Sequence, residues 1–235
     1  MFQDLIRSAV DYHGDLARNI KTIRESQALF DDLSADAADW SVAIAAESQD
    51  YIASAAPLVT RPFDYGAVIT YPFVPHHWQQ TRFSDGLHYG VWYGSLEMET
   101  TVPESIYHWR RFIDDSFKGE DREIVGERRV FDVRCDAIVM DLRGGEARFP
   151  QLVDRASYAY THALGRYLHD QSQSGVLVRS ARGPGDNAAI LRPQVLSSVR
   201  DRCYLTYVTN PTRDEVVVRR QNGRAWMTVR PSELA

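Results

Sequence analysis

The 235-residue chain has 44% hydrophobic and 25% charged residues, the balance of an ordinary globular protein able to bury a full core. No stretch reaches the roughly 20 consecutive apolar residues that span a bilayer, and the N-terminal "MFQDLIRSAVDYHG" interrupts any signal-peptide core with Asp4 and Arg7, so a cytoplasmic location is expected. A net charge of -5 argues against direct nucleic-acid binding, which needs a basic face, and the two cysteines, Cys135 and Cys203, are too few for a disulfide scaffold or a Cys-rich zinc site.

In chain order, Phe2, Leu5, Ile6 and Val10 recur at helical spacing, and Trp40, Ala43, Ile44 and Ile52 outline a second apolar face, with "DDLSADAADW" supplying a helix start between them. Residues 1–55 are therefore predicted to be an N-terminal helical extension. Pro57, Pro62 and Gly66 then break the pattern, which places a boundary near residue 56 and a second domain over 56–235. Beyond it, "GAVITYPF" and "GVWYGSL" read as strands, and residues 102–116 as a helix with Ile106, Trp109 and Ile113 on one face. "RRVFDVRCDAIVMDLR" reads as a strand and "PQLVDRASYAYTHALGRYLHDQ" as a long helix. "GVLVRSA", "AAILRPQVL" and "CYLTYVTN" follow as strands, and Asn222-Gly223 turns a closing hairpin. Strands interrupted by two helices, without a regular βαβ repeat, give an α+β fold.

Arg82, Tyr93 and Glu104 lie at two equal intervals of eleven residues: an arginine leading into a glycine- and aromatic-rich segment, a strand tyrosine, and a glutamate opening a helix. That order can aim a guanidinium, a phenol and a carboxylate into one cleft. A plainer account competes for Glu104, because "TVPE" fits a capping box in which Thr101 and Glu104 satisfy backbone donors at a helix start. Tyr93 read alone is a half-buried sheet aromatic, and Arg82 a solvated loop charge. In "GVLVRSARGPGDNAAI", Ser180 ends a strand before Gly183, Gly185 and Asn187, which suits either a site serine or a turn serine bonding its own backbone. "GPGDNA" also fits a dinucleotide-binding turn, but the β-branched, proline-containing "AILRPQVL" offers no helix N-terminus to receive a pyrophosphate. His76 and His77 are adjacent, which on a strand sends them to opposite faces, and no metal-binding spacing accompanies them. Ser180 lacks the G-x-S-x-G elbow of a hydrolase.

Taken together, "TRPF" at 60–63, "RFSDG" at 82–86, "GVWYGS" at 90–95, Glu104 and "GVLVRSARGPGDN" at 175–187 resemble the RES domain, named for an arginine, a glutamate and a serine. The resemblance implies an ADP-ribosyltransferase-like mixed β core with flanking helices. Known members include toxins of RES-Xre toxin-antitoxin modules that degrade NAD by hydrolysis or phosphorolysis. Carried over by motif, the first family arginine falls on Arg61, the second on Arg82, the tyrosine on Tyr93, the glutamate on Glu104 and the serine on Ser180. Glu104 would stabilise the oxocarbenium-like ribose as the nicotinamide bond breaks, Arg82 and Arg61 would hold the pyrophosphate, Tyr93 would stack on the nicotinamide or ribose, and Ser180 would hydrogen-bond the amide or a phosphate. The implied partners are NAD as substrate, with no separate cofactor and no metal, water or inorganic phosphate as acceptor, and a cognate Xre-type antitoxin. Two alternatives stand beside this one: an ADP-ribosyltransferase passing the ribosyl group to a macromolecule, and a non-catalytic nucleotide-binding module.

Overall fold

The computed structural model describes residues 2, 5, 8–21, 65–220 and 223–234, which belong to one compact unit. The predicted helix around Trp40 and Ile52, the boundary near residue 56, Arg61 and Asn222 lie outside the described residues. The fold is α+β, as expected, and is built on a mixed eight-stranded sheet.

The first element corrects the expected helical extension. Residues Ala9–Lys21 form a strand, β1, paired antiparallel along β3 (Ile124–Asp141) from Ala9 opposite Met140 to Lys21 opposite Arg128. Val10, Tyr12, Leu16 and Ile20 fall on even positions and pack into one apolar cluster, so the period along this stretch is two. The helical spacing of Leu5, Ile6 and Val10 is a coincidence of a few positions that thirteen residues of sheet pairing override.

"GAVITYPF" is also corrected. It forms a short helix, α1 (Tyr65–Thr70), and a 3-10 turn through Phe73 instead of a strand. Val68 is buried in the same cluster as Leu16, and its carbonyl accepts a 2.9 Å hydrogen bond from the Trp92 indole, a tertiary anchor that outweighs the β-branched composition. His76 and His77 follow in another 3-10 turn, where the His77 ring stacks on Tyr71 at 3.7 Å, so the strand geometry expected for this pair does not apply.

The remaining expected elements form with shifted ends. They are β2 (Trp92–Ser95), α2 (Met98–Ser116), β3, α3 (Ala159–Asp170), β4 (Gly175–Arg179), β5 (Asp186–Ile190), β6 (Leu196–Thr209), β7 (Val216–Arg220) and β8 (Ala225–Val229). The long helix expected over 150–171 is divided into a 3-10 turn at Pro150–Val153 and α3, with Asp154 accepting from the amides of Ala156 and Ser157 between them. No helix among the described residues is long and apolar enough to cross a membrane.

The strand order is β1-β2-β5-β4-β3-β6-β7-β8, and β1 also pairs with β3, so the first five strands close into a ring. Each contributes to one core: Leu16, Trp92, Val133, Leu177 and Ile190 are fully buried together. Alternation then sends their neighbours, Tyr93 and Ser95 of β2, Val178 of β4 and Asn187 and Ala189 of β5, to the opposite face. β1 meets β2 at a single register position, Ala17 opposite Ser95, where the ring is weakest and a cavity opens beside α2.

Candidate active site

The cavity has a volume of about 450 Å³, within the usual span of small-molecule sites. Tyr93, Ser95, Val178, Asn187 and Ala189 supply its sheet wall, Thr101, Glu104, Ser105 and His108 come from α2, and Gln79–Phe83 close another side. Ala189 lies directly opposite Tyr93 in the β2–β5 register, so a small side chain leaves space beside the phenol ring.

Glu104 is not at a helix start. The N-cap of α2 is Glu97, without a side-chain cap bond, and Thr101 donates to Met98 O at 2.7 Å inside the helix. The capping-box account of Glu104 therefore fails by four residues, about one turn. Its carboxylate instead receives Ser180 Oγ at 2.6 Å and Asn187 Nδ2 at 2.7 Å, both on Oε1. Oε2 has no hydrogen-bond partner among the described residues, and it is the oxygen left for a ligand.

Both donors are themselves fixed. Ser95 Oγ donates to Asn187 Oδ1 at 2.6 Å, which holds the amide with its nitrogen toward Glu104. Ser180 Oγ accepts the backbone N–H groups of Arg182 at 3.2 Å and Gly183 at 3.3 Å, so its single proton is directed to the carboxylate. One hydroxyl thus bonds its own turn, as the turn-serine account expects, and also reaches Glu104.

The β4–β5 loop holds Ser180 against α2 through its glycines. Gly183 lies where a Cβ would meet Pro103 Cγ at 2.7 Å, and Gly185 has φ +96° with a virtual Cβ 1.9 Å from Thr100 Oγ1. Thr100 Oγ1 also donates to Pro184 O at 3.1 Å. Gly185→Ala combines a left-handed backbone with that collision and is expected to cost about 1–3 kcal/mol in urea unfolding. Unfolding midpoints equal to the parent's would show that the loop is not held as described.

Tyr93 donates to Thr81 Oγ1 at 3.0 Å and accepts from Phe83 N at 2.9 Å, and burial pushes its phenol up to about 12, so it is a neutral wall and anchor at pH 7. Arg82 is 9% exposed. Its Nη1 donates to Arg179 O at 3.0 Å and its Nη2 to Leu152 O, so the fork expected to grip a pyrophosphate holds backbone carbonyls, one of them just before Ser180. Burial lowers its pKa while the Glu104 carboxylate opposes that shift.

Two further cations line the cavity. Arg18 of β1 donates from Nη1 to Tyr93 O at 2.7 Å and lies 4.9 Å over the Trp92 ring. Its buried Nε has no hydrogen-bond partner, and it has no acidic partner among the described residues. Arg182 lies 3.6 Å over the Tyr107 ring. Arg18 is missed from sequence because its stretch reads as helix; the alternation of Val10, Tyr12, Leu16 and Ile20 was the available signal. Asn187 is visible in "GPGDN", but its contact with Glu104 depends on β2–β5 register. Among the described residues, no group of three or more His, Cys, Asp or Glu side chains is placed to hold a metal ion.

The structure thus brings Arg82, Tyr93 and Glu104 to one cavity, with Ser180 bonded to Glu104 from behind its lining, while Arg61 lies outside the described residues. Residues 56–210 match the RES domain. No curated protein matches the chain. Among solved structures, the chain is similar to one described as the crystal structure of the M. tuberculosis MbcT-MbcA toxin-antitoxin complex, at 11% identity and a TM-score of 0.46, over 86% of this chain and 87% of that one.

Proposed function

The chain belongs to the RES domain family, whose match over residues 56–210 takes in more than half of the sequence, and from that premise we propose that it cleaves the nicotinamide–ribose bond of NAD. The observation that carries the proposal is the Glu104 carboxylate, held on one oxygen by Ser180 and Asn187 and open on the other toward a cavity bordered by arginines.

As the bond lengthens, its electron pair passes to the pyridinium nitrogen, so nicotinamide leaves neutral and needs no acid. Positive charge grows on the ribose C1′ and its ring oxygen. A carboxylate beside it is worth more in the transition state than in the ground state, where the charge sits on the ring about to leave. Water or inorganic phosphate then bonds to C1′ and gives up its proton, for which Glu104 Oε2 is the acceptor at hand. The fixed donors on Oε1 keep the carboxylate oriented without reorganisation during the reaction. Arg18 is the cation best suited to the pyrophosphate, since only its Nη1 is engaged with a carbonyl, whereas both Nη1 and Nη2 of Arg82 are.

In the same proposal the protein is a toxin restrained by an Xre-type antitoxin that covers the cavity mouth, as the family resemblance implies. The test is nicotinamide release from NAD by purified protein, with and without inorganic phosphate. Release is expected, with ADP-ribose as the co-product in water and a 1-phosphate of it if phosphate is the acceptor. Label from adenine-labelled NAD appearing on a macromolecule would select the transferase, and tight NAD binding without any release would select the binding module.

A further inference from the structure

Behind the β4–β5 loop lies the 3-10 turn Pro231–Leu234, outside the residues matched to the family. Two arginines hold its backbone. Arg182, 3% exposed, donates from Nη1 to Leu234 O at 2.6 Å and from Nη2 to Arg155 O at 2.9 Å and Tyr158 OH at 3.0 Å. Arg155 donates from Nη1 to Glu233 O at 2.8 Å and from Nε to Ala181 O at 2.7 Å. The turn is therefore tied to the two residues that directly follow Ser180.

The other side of the turn is fixed as well. Leu234 is 4% exposed and packs with Met98, Val102 and Ile106 of α2, the helix that carries Glu104. Ser232 donates from its amide and hydroxyl to Asp214 at 2.9 and 2.5 Å. One short turn thus touches the serine loop through its carbonyls and the glutamate helix through its side chain.

We propose that Pro231–Leu234 is a positioning element for the Ser180–Glu104 pair, acting through Arg182. With its guanidinium fixed on Leu234 O, Arg182 can place its own N–H on Ser180 Oγ, and that contact turns the hydroxyl proton toward Glu104. A guanidinium is suited to this because its planar fork reaches several carbonyls at fixed angles, which a lysine cannot do. If the carbonyl were withdrawn, Arg182 would hold a buried charge with fewer acceptors, and the loop would relax toward solvent. The cavity would still admit substrate, but the carboxylate would lose one of its two fixed donors.

This inference rests on Glu104 being the reacting carboxylate, so its test has a readout that does not need turnover. Leu234→Ala removes most of the side chain that seats the turn, and Leu234→Met restores its volume. In Leu234→Ala, hydrogen exchange over 180–185 is expected to quicken about tenfold or more while β3 and β6 exchange as in the parent. The kcat for nicotinamide release is expected to fall about tenfold with KM within about twofold, and Leu234→Met to restore both. Unchanged exchange over 180–185, exchange raised equally across the sheet, or faster loop exchange with unchanged kcat would overturn the proposal. Should the parent protein release no nicotinamide, the NAD assignment fails by itself, and the exchange measurement alone decides whether the turn positions the loop.

Discussion

Glu104→Gln is expected to fold as the parent does and to release nicotinamide about 10²-fold more slowly or worse, with the loss in kcat. Gln retains an acceptor oxygen where Ser180 Oγ and Asn187 Nδ2 donate at 2.6 and 2.7 Å, so the network around it can persist. Only the charge is removed. Because the side chain lies within α2 and not at its N-cap, no capping bond is lost, and the free energy of urea unfolding should change by less than about 1 kcal/mol. A helix-capping role predicts the opposite pattern, about 0.5–2 kcal/mol of stability lost with turnover intact. Turnover within a few-fold of the parent, in a variant with unchanged unfolding, would remove Glu104 from the chemistry. Together the two measurements separate charge from scaffold at one position.

The parts of this site that are legible in sequence are those fixed by local chemistry. "GVWYGS" shows its strand alternation directly, and Tyr93 does face the cavity while Trp92 faces the core. "SARGPGDN" announces a tight turn, and Gly185 occupies the left-handed conformation that a glycine there permits. What sequence cannot display is register. Asn187 reaches Glu104 because it lies opposite Ser95 in β2, a pairing across 92 residues. The T-x-x-E pattern misleads for a related reason: α2 begins at Met98, three residues before Thr101, where no side chain caps it and packing of Met98 and Val102 sets the start. Ala9–Lys21 is the largest departure, since pairing with β3 and burial of Leu16 decide its conformation more than local spacing does.

The same strand carries the second large effect. Arg18→Met is expected to raise the protein's stability and weaken NAD binding about 10- to 100-fold, read as a higher KM. Burial holds the Arg18 guanidinium down to about 10, with no carboxylate offsetting it. For a base whose folded pKa is lowered, the interior disfavours the charged form, so the cost is fully present at every pH below about 10 and fades only as pH rises through that value. At pH 7 the fold therefore bears a desolvated cation with one hydrogen bond, to Tyr93 O, and a ring contact with Trp92. Met keeps the apolar stem over Trp92 and removes the charge, at the cost of leaving one carbonyl short of a donor. The net gain is about 1 kcal/mol or more, or about 2–4 °C in Tm for a chain of this size. An interior cation that destabilises its own fold is explained if its counterion arrives with the ligand, and the pyrophosphate of NAD supplies two negative charges. Adding NAD should then raise the Tm of the parent more than that of Arg18→Met. A variant that is less stable than the parent and binds NAD equally well would make Arg18 a structural residue of β1, and the pyrophosphate would need another cation.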